Sequence, residues 1–364
     1  MKIVFLMHSY FGISIGGAEY QVSLLAKELA KLNHDIHFVF LKDRAAVDSN
    51  AEWQASHLYP IVKTTLKDLS TLKVSYYYDV YSRLKLIKPD VIYHRNLSPF
   101  LFAATMYAKT SGAKTILHIS HMKDVEKFRL WARDRSLLRG FDDYFKFQGL
   151  KQVDSIISQT YEQKIELYKN YGKDSIVVRN FAEQAIPFDV RSKENIVAWI
   201  ANIKPFKNPF PFMDLSNTLE DTGYRFLMIG RPPSGKFSKE FKERLSNSKV
   251  EYLGEQTKSE VEKILAKAKI LCCTSYAEGF PNTFLQAWVR QVPVVSLHVD
   301  PDNILMKENI GVKAGSFDRF VQNVKVLMQN NYSREEMGKK ASEYVKSNHS
   351  VEINLPKIVR VIES

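Results

Sequence analysis

Cysteine is almost missing from this chain of 364 residues, and the only two, Cys272 and Cys273, are neighbours. Side by side in an apolar run that reads as a strand, they make neither a disulfide framework nor a metal site. They read instead as small buried apolar filler. Long hydrophobic runs are missing too: none reaches the ~20 residues needed to span a bilayer. The opening "KIVFLM" is too short for a signal-peptide core and lacks a small-residue cleavage site. The expectation is a cytoplasmic protein.

Acidic residues are outnumbered. Lys and Arg total 52 against 40 Asp and Glu, a formal net charge of +12. The excess is uneven: residues 1–180 carry 26 basic against 18 acidic residues, and residues 181–364 carry 26 against 22. A basic first half suits an anionic partner: a phosphorylated ligand, an acidic membrane face or nucleic acid. No recognised nucleic-acid-binding module accompanies the charge, so no nucleic acid partner is expected. Within the basic region 121–151, Arg129, Arg133, Arg135 and Arg139 interleave with Phe128, Trp131, Leu137 and Phe141. Read as a long helical region, this mixture suits an interfacial helix on anionic lipid, here the inner face of the cell membrane. An ordinary helix packing an apolar stripe on a sheet would look the same.

What the chain does have is alternation. Short β-rich runs ("KIVFLM", "DIHFVFL", "DVIYH", "TILHIS", "SIISQ", "SIVVRN") are separated by amphipathic stretches, the first carrying Val22, Leu25 and Leu29 on one face. A second series follows: "NIVAWI", "YRFLMIG", "VEYLG", "ILCCT" and "VPVVSL", again with helical stretches between, and the chain ends in helices. Two β-α series predict an α/β architecture of two doubly wound parallel sheets. Their join falls in the polar stretch 180–195. Ligands of such sheets bind beyond the carboxyl ends of the strands, so the cleft between two facing domains is the expected site.

Several motifs carry chemistry or resemble ones that do. "SIGGAE" follows the first strand and opens the first helix; Gly16 and Gly17 let backbone N–H groups approach an anion at the helix N-terminus. The bland alternative is a tight β-α turn. "GRPPSGKF", residues 230–237, nearly matches a phosphate loop. However, Phe237 stands where a magnesium-binding hydroxyl belongs, and Pro232 and Pro233 offer no N–H, so it reads as a plain loop. "VDPD" supplies the single Asp-x-Asp, Asp300 and Asp302; a polar turn around Pro301 is the expectation, a divalent-ion site the alternative. "ANIKPFKN", residues 201–208, holds Lys207, a point charge suited to phosphate.

The stretch "SYAEGFPNTFLQAW", residues 275–288, is the most informative. After strand "ILCCT" the chain turns at Gly279-Phe280, and Pro281 suits a first helical position. The first N–H groups of the helix, at Asn282 and Thr283, then offer a diphosphate the positive end of a helix dipole. Glu278 beside them suits positive charge developing at a sugar ring, or sugar hydroxyls. Gln286, about two helical turns along, can bond neutral hydroxyls without adding charge.

On these residues the sequence resembles the retaining glycosyltransferases of family 4, which have the two-domain GT-B fold. "GGAE" resembles that family's glycine loop, and "VVRN", residues 177–180, the segment ending its first domain, with Asn180 the one match to its Pro-Asn-Gly triplet. "ANIKPFKN" resembles its phosphate-binding segment, and "EGFPNTFLQAW" its Glu-x7-Glu donor motif. The resemblance implies an N-terminal acceptor-side domain over 1–182 and a C-terminal nucleotide-sugar-binding domain over 183–345. A last helix, 346–364, would pack back on the first domain.

Carried over, Glu278 contacts the donor sugar near the reacting centre and Lys207 meets a phosphate. Gly279, Phe280, Pro281, Asn282 and Thr283 give backbone contacts, and Gly16 and Gly17 the glycine loop. His121 corresponds to a histidine on the donor sugar and acceptor side; His118 and Arg95 are further acceptor-side candidates. Two departures stand out. Asn202 replaces an Arg, and Gln286 replaces the second Glu, which holds the nucleotide ribose.

The implied activity is a metal-independent hexosyl transfer from a UDP- or GDP-type donor to a growing, lipid-linked or free, glycan. The nucleotide-sugar is a substrate, and no cofactor or metal is expected. The departures leave a non-catalytic glycan-binding scaffold as one alternative. A sugar-nucleotide epimerase is another, and a metal-dependent transferase using Asp300 and Asp302 a third.

Overall fold

The computed structural model describes residues 1–11, 13, 16–42, 57–62, 74–128, 137–184, 188–189 and 192–364. Two compact units emerge: Met1–Phe181 with Asn354–Ser364, and Ala182–Ile353.

The first unit runs β1 (Lys2–Met7), α1 (Gly17–Lys31), β2 (Asp35–Lys42), β3 (His57–Val62), α2 (Val74–Ile87), β4 (Val91–Arg95), α3 (Phe100–Ser111), β5 (Lys114–His118), α4 (Leu137–Gln152), β6 (Ser155–Ser158), α5 (Tyr161–Tyr171) and β7 (Ile176–Val177). Its strands form one parallel sheet in the order β3-β2-β1-β4-β5-β6-β7. Both faces are covered, which is why the strands read as apolar runs rather than as alternating ones. On one face Val4, Leu6, Val39 and Ile92 meet Tyr76, Val80 and Ala104. Val22, Leu25 and Leu29 of α1 are buried as their spacing predicts.

The second unit runs β8 (Ile196–Ile200), α6 (Phe210–Thr218), β9 (Arg225–Ile229), α7 (Lys236–Ser246), β10 (Val250–Tyr252), α8 (Lys258–Lys267), β11 (Ile270–Cys273), α9 (Asn282–Trp288), β12 (Val294–Ser296), α10 (Ile304–Lys307), β13 (Gly311–Lys313), α11 (Phe317–Gln329) and α12 (Asn331–Asn348). Its sheet, also parallel, has the order β10-β9-β8-β11-β12-β13. Successive strand residues face opposite ways. Cys272 accordingly lies with Val197, Trp199 and Phe212 on one face, and Cys273 with Ala198, Phe284 and Trp288 on the other. Both thiols are free and buried, the filler role expected of them. The last helix, α13 (Val351–Glu363), contains Pro356, and the first unit takes up its residues from Asn354 onward.

Each sheet reverses its strand order once, between β1 and β4 and between β8 and β11. At such a switch point the loops leaving two adjacent strands diverge to opposite faces and open a crevice for ligand.

Several sequence expectations are corrected. The region from 121 is not one long helix: Met122–Asp124 is a single 3-10 turn, residues 125–128 are not helical, and the described span of α4 is Leu137–Gln152. Arg129, Trp131, Arg133 and Arg135 lie outside the described residues. Pro281 is the residue before α9, with extended ψ of 117°, rather than its first residue. Gln286 is the fifth residue of that helix, one turn in rather than two. The strands β3 and β13 go unread in the sequence because both are sheet edges; β13 has three residues, and β3 carries Pro60.

Candidate functional site

In the second unit the switch point is built by two loops. One leaves β8 and closes in a 3-10 turn, Pro205–Lys207, with Asn208 in the left-handed region. The other leaves β11 and runs to α9. Hydrogen bonds zip them together. Trp199 Nε1 donates to Thr274 Oγ1 at 2.8 Å, Thr274 Oγ1 donates to Lys207 O at 3.1 Å, and Tyr276 N donates to Phe206 O at 3.0 Å.

Held this way, Lys207 Nζ forms an ion pair with Glu278 Oε1 across the two loops. The side chains are 20% and 11% exposed, so the pair is largely desolvated yet open at one edge. The Phe206 ring lies 5.2 Å from the Lys207 ammonium. The charge on Glu278 also reaches Cys273, whose thiol is pushed up by burial first and by that carboxylate second.

Just beyond Glu278, Gly279 and Phe280 are buried. The Phe280 ring packs against His349 at 4.7 Å and Trp288 at 6.3 Å. Phe280 thus anchors the turn in the core. Pro281, which has no N–H, hands over to Asn282 and Thr283, both half-buried at the start of α9. Gln286 is half-buried one turn on; its carbonyl accepts from Arg290 Nη1 at 2.9 Å, and Arg290 in turn pairs with Glu262 at 3.4 Å. Asn202 is half-buried in the loop after β8. The structure thus gathers Lys207, Glu278 and the 279–283 turn at one point, with Gln286 a turn away.

Sequence reasoning missed the clamp residues Trp199 and Thr274. It also missed Tyr276, 61% exposed, whose ring stacks on His298 at 5.3 Å. The one available signal was their position at strand ends.

The remaining expected motifs resolve simply. Asp300 Oδ1 accepts from Leu305 N at 2.8 Å, and Pro301–Asn303 form a 3-10 turn with Asp302 and Asn303 at positive φ. This is the polar turn expected of "VDPD". In "GRPPSGKF" the loop ends at Gly235, and Lys236 and Phe237 begin α7.

In the first unit Gly16 precedes α1 with an ordinary φ of −123°, and Gly17 is its first residue. Ser14 and Ile15 lie outside the described residues. At the carboxyl ends of β4 and β5, Arg95 Nη1 is 3.2 Å and Tyr93 Oη 2.5 Å from His118 Nδ1. Arg95 Nη2 donates to Asn180 Oδ1 at 2.9 Å. Burial, reinforced by the Arg95 charge, holds His118 neutral, well below the usual imidazole range. Arg95 and His118 are 3% and 2% exposed and brace the strand ends.

His121 is half-exposed. Its Nδ1 accepts from Lys123 N at 3.1 Å, which leaves the proton of the neutral ring on Nε2. Asp124 Oδ2 in turn accepts from Ser120 N and His121 N, at 3.0 and 3.1 Å.

Comparison with known proteins follows this geometry. Residues 180–344 match the family model described as glycosyl transferases group 1, and residues 15–182 match glycosyltransferase family 4. A curated relative, the GalNAc-alpha-(1->4)-GalNAc-alpha-(1->3)-diNAcBac-PP-undecaprenol alpha-1,4-N-acetyl-D-galactosaminyltransferase of Campylobacter jejuni, is 26% identical over 330 residues. That match covers 85% of this chain and 83% of the relative. Among solved structures, sucrose-phosphate synthase from Thermosynechococcus elongatus superposes with a TM-score of 0.79 at 13% identity, covering 100% of this chain and 98% of that one. WaaG, a glycosyltransferase involved in lipopolysaccharide biosynthesis, gives 0.72 at 15% identity, covering 95% of each. These neighbours show the fold, two Rossmann-like parallel-sheet domains of GT-B type.

Proposed function

This chain belongs to the family 4 glycosyltransferases, across both of its domains, and on that premise we propose that it moves a hexosyl unit from a nucleoside-diphosphate sugar, of UDP or GDP type, to a growing glycan with retention of configuration. The observation that carries the reading is the Lys207–Glu278 pair at the switch point of the second unit. In the reaction the bond between the anomeric carbon and the β-phosphate oxygen breaks, and an acceptor hydroxyl oxygen bonds to that carbon, releasing its proton. The departing diphosphate, which already carries two negative charges, gains a third. Lys207 and the amides of Asn282 and Thr283 are the groups to receive that charge, and a preorganised cation is worth most where water is partly excluded. Glu278 keeps Lys207 in place before the donor arrives and faces the sugar once it has. Gln286 bonds the ribose hydroxyls. His121 corresponds to the histidine assigned to the sugar and acceptor side. No step requires a metal ion.

A thermal-shift screen of nucleoside diphosphates and their sugars tests the donor, since a ligand bound to the folded state raises stability by mass action. One nucleotide class is expected to raise the unfolding temperature, and an acceptor glycan then to trigger release of the free diphosphate. Donor consumption with no acceptor present would point to an epimerase, and binding without any turnover to a scaffold.

A lipid-linked acceptor is the more specific version. The Campylobacter relative acts, by its name, on a glycan carried on undecaprenol diphosphate. The basic residues of 121–151 suit an anionic bilayer surface, which would place the protein peripherally on the inner membrane face. Binding to anionic vesicles that weakens with added salt is the expected result; equal binding to neutral vesicles would count against it.

A further inference from the structure

The amino ends of β2 and β3 carry a cluster that sugar transfer does not use. Asp35 opens β2, His37 follows two positions on, and His57 opens β3. A period of two places Asp35 and His37 on one face, and the parallel register sets His37 beside His57. One donor atom from each of the three lies within 4.8 Å of the others. His37 Nε2 is 2.9 Å from Asp35 Oδ2, and His57 Nε2 is 3.6 Å from Asp35 Oδ1. The two imidazole rings stack with centroids 4.6 Å apart.

The His37 side chain is only 6% exposed. Its Nε2 faces the Asp35 carboxylate, while Nδ1 has no hydrogen-bond partner, although buried polar atoms are ordinarily satisfied. Lys2, opposite Asp35 in register, does not fill the space with its charge: its ammonium donates to Ile87 O at 2.9 Å. An electron-rich centre made of two imidazoles and a carboxylate is what a transition-metal ion binds.

We propose that Asp35, His37 and His57 form a binding site for a divalent transition ion, Zn2+ foremost. Nitrogen donors select Zn2+ over Mg2+ and Ca2+, which take oxygen ligands. Bonds of about 2.0–2.1 Å require the donors to draw closer than they stand, and Asp35 and His57, the exposed pair, do this by side-chain rotation. Their side chains are 48% and 62% exposed, so water completes the coordination. The ion would cross-link the edge strand β3 to β2. It sits at the end of the sheet opposite the loops that follow the strands, and is independent of the transfer reaction.

The test uses the full chain freed of metal with a chelator and titrated with Zn2+ against a chromophoric competitor, with Co2+ as a spectroscopic reporter. One equivalent is expected, with visible Co2+ absorption of nitrogen-ligated type and a rise in unfolding temperature on adding Zn2+. His57→Ala and Asp35→Asn change exposed side chains and should keep the fold, checked by circular dichroism. Each should weaken Zn2+ binding by at least about tenfold and abolish the rise. No bound equivalent in the wild type, or binding unchanged in both variants, overturns the proposal.

Discussion

Lys207 and Glu278 are joined although 71 positions separate them in the chain, because β8 and β11 lie side by side and deliver both loops to one end of the sheet. The pairing gives each side chain a distinct mutational signature. Lys207→Ala removes the cation and leaves a poorly solvated carboxylate unpaired. The rate of transfer should fall about 100-fold, the size of a lost transition-state charge partner. Glu278→Gln should also lower the rate while leaving affinity for the free nucleoside diphosphate equal or higher, since Lys207 is released to the phosphate. Steady-state kinetics with nucleotide binding measured separately checks both. Wild-type turnover in Glu278→Gln would remove Glu278 from the reaction.

Acid should destabilise the first unit through His94. Its Nδ1 is 2.9 Å from Leu6 O and its Nε2 3.0 Å from Ser98 Oγ, and burial lowers its pKa to about 4. Between the unfolded value of about 6.5 and the folded value, the unfolded chain binds a proton that the folded chain refuses. Stability therefore falls as pH drops through that window, by up to about 3 kcal/mol from this residue. His94→Asn should flatten the dependence of the denaturation midpoint between those limits.

Gly230 closes β9 where the backbone runs against the loop after β8. A Cβ there would stand 1.8 Å from Ala201 O, at a φ of +156°. Gly230→Ala should cost about 2 kcal/mol or more, because a backbone carbonyl, unlike a side-chain tip, cannot step aside cheaply. It also displaces the segment leading to Lys207, so nucleotide affinity should drop along with the denaturation midpoint. Gly235→Ala is the comparison: its Cβ meets open space, so the cost is the backbone strain of a φ of +66° alone, and nucleotide binding should stay intact.

Chelation should not stop transfer. Asp300 spends one carboxylate oxygen on the Leu305 amide and sits in a turn. Turnover is expected to be unchanged by EDTA and by Asp302→Ala. A loss restored by Mg2+ would revive the metal-dependent reading.

How far the sequence reached follows from physical range. The β-α alternation was legible because strands buried on both faces are apolar throughout, and neighbouring helices carry the stripe that covers them. Glu278, Lys207 and the turn at 279–283 were legible because contiguous stretches encode them. Features made by pairing distant strands were not. Trp199 and Thr274 looked like ordinary strand residues, and their bond depends on β8 lying beside β11. Arg95 and His118 stood as acceptor-side candidates, and their burial against Tyr93 and Asn180 depends on adjacent parallel strands. Asp35, His37 and His57 meet only through the register of β2 with β3. The place of Gln286 was misjudged because four of the eight positions from Glu278 to Gln286 precede the helix, which starts at Asn282.

The central claim is that the loops after β8 and β11 grip the donor's diphosphate, and a crystal structure of the chain with its preferred nucleoside diphosphate tests it most directly. The account predicts phosphate oxygens within hydrogen-bonding distance of Lys207 Nζ and of the Asn282 or Thr283 amide, with Glu278 displaced from its partner or facing the sugar position. A diphosphate bound elsewhere, with the Lys207–Glu278 pair undisturbed, would contradict it.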